Sequence, residues 1–240
     1  DTRTAEDERM RPAPAWLRRG LLALFALLLL WQGWYLGWVL WWKWADPGTT
    51  SFMSRRLDEL REKNPQAELR HQWVPYGKIS VHLKRAVIAA EDDKFVDHEG
   101  FDWEGIQKAI EKNRKKGKVV AGGSTITQQL AKNLLLSAAK TPWRKAEEAV
   151  ITLMIEMAWD KRRILEVYLN VVEWGEGLFG AEAAARRYFG TSATGLSAEQ
   201  AARLAVMLPA PRRYEKNPHS AYLTGRTALV LDRMRYSEVP

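Results

Sequence analysis

Two glutamates stand out because each sits on a helical face where its neighbours are not routine surface residues. In the run that follows Ser80, VHLKRAVIAAEDD, Leu83, Val87 and Glu91 are four apart, so Glu91 extends an inward apolar stripe. In the run that begins at Arg144-Lys145, Glu148, Thr152 and Glu156 form the one polar stripe of an otherwise apolar segment. A carboxylate there needs a cleft or a partner, because isolated burial is costly. Lys132, Arg144 and Lys145 lie beside these glutamates in sequence. Paired carboxylates in a cleft are the apparatus of glycosidic chemistry, one of them with its pKa raised to act as acid or base. Neighbouring cations suit a phosphorylated leaving group, whose charge grows as it departs. The combination suggests glycosyl transfer from a sugar diphosphate; on periodicity alone, two salt-bridged glutamates with no catalytic task remain an open alternative.

Four segments must position these groups. The first runs from a Ser80 N-cap to Glu91. The second starts at Asp102, with Phe101 and Ile106 as a hydrophobic staple, and ends in the basic run Lys112 to Lys118, read as a solvated loop rather than a phosphate contact. The third opens at Gly122-Gly123, where backbone N–H groups at a helix start could meet an anion. Thr125 and Gln128 have capping-box spacing there; Ile126, Leu130 and Leu134 make the apolar stripe, and Thr125, Gln129 and Lys132 a polar face. The fourth, from Arg144 to Trp159, is nearly solid apolar and reads as a buried helix. Alternating strand-like runs are few and no repeat is visible, so an all-α or mostly α domain is expected.

Length and composition bound the rest. A chain of 240 residues holds one sizeable domain plus an anchor and leaves no room for a second catalytic domain. With no Cys, there is no thiol nucleophile and no disulfide framework, and four dispersed His argue against a His-rich metal centre. Leu21 to Trp42 is free of charge and long enough to cross a bilayer, too long for a signal-peptide core, and followed by no small-residue cleavage site. Arg9, Arg11, Arg18 and Arg19 precede it, which predicts a cytoplasmic N-terminus and an exported remainder. Trp31, Trp34, Trp38, Trp41, Trp42 and Trp44 are expected at the outer interface. The expected organisation is a cytoplasmic tail over 1–20, a transmembrane helix over 21–44 and an extracytoplasmic domain over 45–240, with residues 46–51 as a short linker. The net charge of +8 calls for an anionic partner, and export makes that a membrane surface or a phosphate-bearing substrate, not nucleic acid.

The residues also resemble a known family. Glu91-Asp92-Asp93-Lys94-Phe95-Val96-Asp97-His98-Glu99-Gly100-Phe101-Asp102 is similar to the first signature of the peptidoglycan glycosyltransferases, and GGSTITQQLAKN to the second. Arg144-Lys145-Ala146-Glu147-Glu148 is similar to the third, and Lys161 to Asn170 to the fourth, with further likeness at Gly180 to Ala185 and Tyr188 to Gly190. The resemblance covers roughly residues 79 to 215 and implies a lysozyme-like α-helical fold of the monofunctional biosynthetic kind, polymerising lipid II at the bacterial cytoplasmic (inner) membrane. It implies that Glu91 is the general base and that Glu148 assists departure of the pyrophosphate, directly or through a divalent cation such as Mg2+ or Mn2+. Lys132, Arg144 and Lys145 are implied around the pyrophosphate, with Thr125, Gln129 and Asn133 as polar contacts and Phe95 and His98 shaping the surroundings of the base. Glu166 and Asn170 read as structural. The implied partners are lipid II, the growing glycan strand and the membrane, with other cell-wall synthases and division proteins as candidates. A lytic hydrolase of the same glycan and an inactive envelope scaffold are the competing readings.

Overall fold

The computed structural model describes residues 14–118, 122–137, 139 and 141–240. The elements are α1 (Ala15–Trp42), α2 (Ser51–Arg61), β1 (Arg70–His71), a 3-10 turn (Tyr76–Lys78), α3 (Val81–Glu91), α4 (Trp103–Lys116), α5 (Ile126–Leu135), α6 (Pro142–Ala158), α7 (Lys161–Val171), β2 (Glu173–Gly175), β3 (Leu178–Phe179), α8 (Ala181–Phe189), α9 (Ala198–Met207), α10 (Pro211–Tyr214) and α11 (Ala221–Arg233). The mostly α expectation holds.

The helix ends follow from local chemistry. Ser80, Asp102, Thr125, Thr141, Asp160, Ser197 and Ser220 each place a side-chain oxygen on a free N–H of the first turn. The capping box of Thr125 and Gln128 forms as its spacing predicts, and Ser197 with Gln200 makes a second one. Asp102 caps α4 as expected, and Phe101 stacks on Trp103, their ring centroids 5.5 Å apart. The basic end of α4 is exposed, as a solvated run should be.

α3 packs on α9, α9 on α11, and α5 lies against α2, α6 and α7. The expected stripes point inward: Leu83 and Val87 on α3, and Ile126, Leu130 and Leu134 on α5, are buried. A small sheet of order β1-β3-β2 joins the ends of α7 and α8, β1 parallel and β2 antiparallel to β3. Its strands of two or three residues are too short to show alternation in sequence. Trp174 on β2 is fully buried and donates to the Leu204 carbonyl at 3.1 Å, which ties the sheet to α9. Truncating such a side chain costs about 3–5 kcal/mol.

α1 is 28 residues long and contains an 18-residue stretch of mean hydropathy 1.6, long and apolar enough to cross a bilayer. It starts directly after Pro14, six residues before the charge-free run, so Arg18 and Arg19 lie in its first turns; Arg9, Arg11 and residues 1–13 of the tail fall outside the described residues. The lower half is exposed, whereas Tyr35, Val39 and Trp42 are buried where α1 meets α6. The Trp cluster therefore divides: Trp42 joins the protein core, while Trp34, Trp41 and Trp44 face outward. Beside α1, Trp143, Val150, Leu153 and Met157 form one exposed apolar face of α6.

Candidate active site

Glu91 ends α3 and enters a cavity of about 140 Å3 lined also by Asp93, Asp102, Gly123, Thr125 and Arg233. The Gln129 Nε2 amide donates to Glu91 Oε2 at 2.8 Å, and Tyr168 donates its hydroxyl to Gln129 Oε1 at 3.0 Å. Tyr168 is fully buried, which pushes its pKa well above the usual phenol range and keeps the donor protonated. With its oxygen taken by Tyr168, Gln129 can turn only its N–H2 toward Glu91. Burial raises the Glu91 pKa, opposed by the Gln129 hydrogen bond and by the charge of Lys132. A carboxylate held in this way is a stronger proton acceptor than one in water.

The segment after Glu91 is braced by Asp92, which is buried. Its Oδ2 accepts the Ile126 backbone N–H at 2.9 Å and its Oδ1 lies 2.8 Å from His98 Nε2. The Gly100 N–H donates to His98 Nδ1 at 3.1 Å, so Nε2 carries the ring proton toward Asp92. Thr125 donates its hydroxyl to the Gly100 carbonyl at 2.7 Å. Gly100 has φ +88°, and a Cβ there would sit 2.7 Å from Thr152 Cγ2, so only glycine fits. Phe95 is fully buried beneath the Lys161 ammonium, 4.8 Å from its ring centroid. His98 and Phe95 thus shape the loop that follows Glu91.

These bonds narrow one expectation. At the start of α5 the Thr125, Ile126 and Gln128 N–H groups are engaged by Gln128, Asp92 and Thr125 respectively, so only the diglycine before them is left to meet a substrate anion. The anion at this helix end is the protein's own Asp92.

Glu148 is buried on α6, where Arg144 Nη1 donates to its Oε2 at 2.6 Å and Lys145 to its Oε1. Lys132 reaches the same region from α5. Burial lowers its pKa, Glu148 and Glu91 oppose that, and Arg144 and Lys145 reinforce it. One ammonium therefore lies in the field of both carboxylates. Asn133 is buried on α5. Further along the stripe of α6, Glu156 accepts from Lys161 at 2.9 Å and from Thr127 at 2.6 Å, and Thr152 donates to the Glu148 carbonyl at 2.7 Å. Equal spacing thus gave Glu156 a pairing with Lys161 and Thr127 and gave Glu148 one with Arg144 and Lys145.

A divalent cation at Glu148 has little to bind. Both carboxylate oxygens are engaged by Arg144 and Lys145, and among the described residues no group of three His, Asp or Glu could hold a metal. A divalent cation here would have to displace Arg144 or Lys145 from Glu148 and take its remaining ligands from substrate oxygens.

Glu166 and Asn170 are structural. The Asn170 amide bonds both the N–H and the carbonyl of Val74 at 2.9 Å, and Glu166 accepts the Tyr76 N–H at 2.7 Å. Sequence reasoning missed Asp92, Tyr168 and Arg233, which pairs with Asp93 at 3.0 Å on the rim of the Glu91 cavity. Tyr168 lies in a run that reads as core packing. Arg233 comes from the far end of the chain, and no local pattern announces it.

Comparison with known proteins gives a consistent picture. Residues 57–235 match the family described as Transglycosylase. The chain is 64% identical over 225 residues to the biosynthetic peptidoglycan transglycosylase of Dechloromonas aromatica, covering 94% of this chain and 97% of that one. The protein of the same name from an Azoarcus species is likewise 64% identical over 225 residues, with coverage of 94% and 97%. The one from Laribacter hongkongensis is 57% identical over 225 residues, covering 94% and 99%.

Proposed function

The chain belongs to the transglycosylase family and is a peptidoglycan glycosyltransferase of cell-wall synthesis, and on that premise we propose how its residues divide the reaction. Lipid II and the growing glycan strand are the substrates. Glu91 removes the proton from the 4-hydroxyl of the acceptor sugar, and that oxygen attacks the anomeric carbon of the donor. The bond to the pyrophosphate breaks, its electron pair leaves with undecaprenyl pyrophosphate, and inversion of the α-linked donor gives a β-1,4 bond.

Lys132, Arg144 and Lys145 neutralise the departing pyrophosphate, and Glu148 orients the last two. Gln129 holds the Glu91 carboxylate in place, and Phe95, His98, Thr125 and Asn133 fix the walls of the cleft. The single observation that carries this division is the placement of Lys132 in the field of both Glu91 and Glu148. A proton acceptor and a phosphate-binding cluster are thereby coupled through one side chain. A lytic hydrolase acting on finished glycan has a neutral leaving group and no use for such a cluster. The test is turnover of purified lipid II: undecaprenyl pyrophosphate should be released without cleavage of finished glycan, and Glu91→Gln should abolish polymerisation. Wild-type polymerisation by that variant would sink the assignment.

We also infer the placement in the membrane. α1 is a single-pass anchor in the bacterial cytoplasmic membrane, with its N-terminus in the cytoplasm and the domain outside. The exposed apolar face of α6 then enters the outer leaflet next to α1, where it replaces water by lipid.

A further inference from the structure

The connection between anchor and domain looks like a tether in sequence, yet it is fastened at three heights. At the lowest, Trp31 donates its Nε1–H to Glu147 Oε1 at 3.1 Å. In the middle, Trp159 donates to the Val39 carbonyl at 2.8 Å. At the top, the Arg163 guanidinium donates to the Trp42 carbonyl at 2.9 Å, the Ala45 carbonyl at 2.7 Å and Asp46 Oδ1 at 3.0 Å. It is held in turn by Glu166 Oε2 at 2.8 Å and lies between the rings of Trp73 and Trp159. Arg163 thus closes the end of α1, where free carbonyls and the helix dipole favour a cation. The eleven steps from Trp31 to Trp42 fix roughly 16 Å of α1 at 1.5 Å per residue.

We propose that Arg163 is a positioning residue for polymerisation in the membrane: by locking the end of α1 to α7, it sets the height of the pyrophosphate-binding cations above the bilayer. The reason lies in the substrate. A lipid-linked pyrophosphate cannot rise to meet a site held too high, because withdrawing its carrier from the membrane costs about 0.8 kcal/mol per CH2. The site must be held down instead. A free linker over residues 45–50 would let the domain move by up to about 20 Å at 3.4 Å per residue. The fastening removes that freedom, and its lowest point, Glu147, adjoins Glu148 itself. This rests on the reading that Arg144 and Lys145 receive the pyrophosphate.

The experiment compares two substrates with the full-length chain. One is long-chain lipid II in vesicles of phosphatidylethanolamine and phosphatidylglycerol; the other is a short-prenyl lipid II analogue dispersed in detergent, for which height is irrelevant. Arg163→Ala should lower kcat/KM in vesicles by at least about tenfold, in line with the effect of small misplacements on rate. It should change turnover of the short analogue by less than about twofold. Trp31→Phe, which removes the N–H donor and one ring of an exposed indole, should shift vesicle turnover in the same direction by a smaller factor while preserving the melting temperature. Equal losses on both substrates would make Arg163 a folding residue and overturn the proposal, as would undiminished activity in vesicles. Failure of the underlying functional reading is seen separately, as absence of product from the wild-type chain with either substrate.

Discussion

Gln129 and Glu91 meet with a fixed polarity: the amide N–H2 faces the carboxylate at 2.8 Å because the amide oxygen is committed to Tyr168. Glu91 is therefore oriented by a fully buried tyrosine acting through Gln129. A hydrogen bond from a neutral donor also leaves the carboxylate more basic than a full ion pair would.

Tyr168→Phe should release Gln129 to rotate. Polymerisation should slow several-fold through kcat, with KM nearly unchanged, and stability should fall by about 1 kcal/mol for one lost buried hydrogen bond. Steady-state kinetics with a thermal melt checks both.

The raised pKa of Glu91 makes a signed prediction about stability. Its folded pKa lies above the unfolded value near 4.5, so the neutral form favours the fold and that contribution is lost as pH rises through the folded pKa. Glu91→Gln should accordingly be more stable than wild type at pH 7. The gap should close below the ordinary glutamate pKa. Melting curves across pH, run beside the lost activity, test this directly.

Lys132 governs the other limb. Its pKa lies below the usual 10.5, and binding a pyrophosphate requires the cation, so activity should decline as pH rises through that lowered value. Lys132→Arg keeps its charge to higher pH. The alkaline limb of kcat/KM should move upward, at a reduced plateau because a planar guanidinium does not reproduce a point charge. An unmoved limb would assign it to another group.

Glu148→Ala should cost about 2–3 kcal/mol, since it leaves Arg144 partly buried without its partner. It should also reduce kcat by at least about tenfold. Chemical denaturation and single-turnover release of the lipid pyrophosphate report the two effects separately.

Much of this was legible in sequence where periodicity and caps decide structure. Leu83, Val87, Ile126, Leu130 and Leu134 face inward as their spacing requires, and the Thr125 box forms. What escaped were contacts made between distant segments. Asp92 meets Ile126 across 34 positions, and Arg233 arrives at the Asp93 rim from α11. The apparent linker escaped for the same reason, since nothing local to residues 46–51 records that Arg163 will hold its start at Ala45 and Asp46. Equal spacing of Glu148 and Glu156 also concealed their difference, which depends on whether Lys161 is near enough to pair.

The double engagement of Asp92 bears on how this protein can be recombined. One oxygen holds His98 and the other holds the first turn of α5, so two stretches that read as separate signatures behave as a single mechanical part. A chimera with its crossover between residues 92 and 126 would join a carboxylate from one parent to a helix start from the other. Because the α5 donor is a backbone N–H, such hybrids should assemble wherever the parent that contributes position 92 supplies an aspartate there.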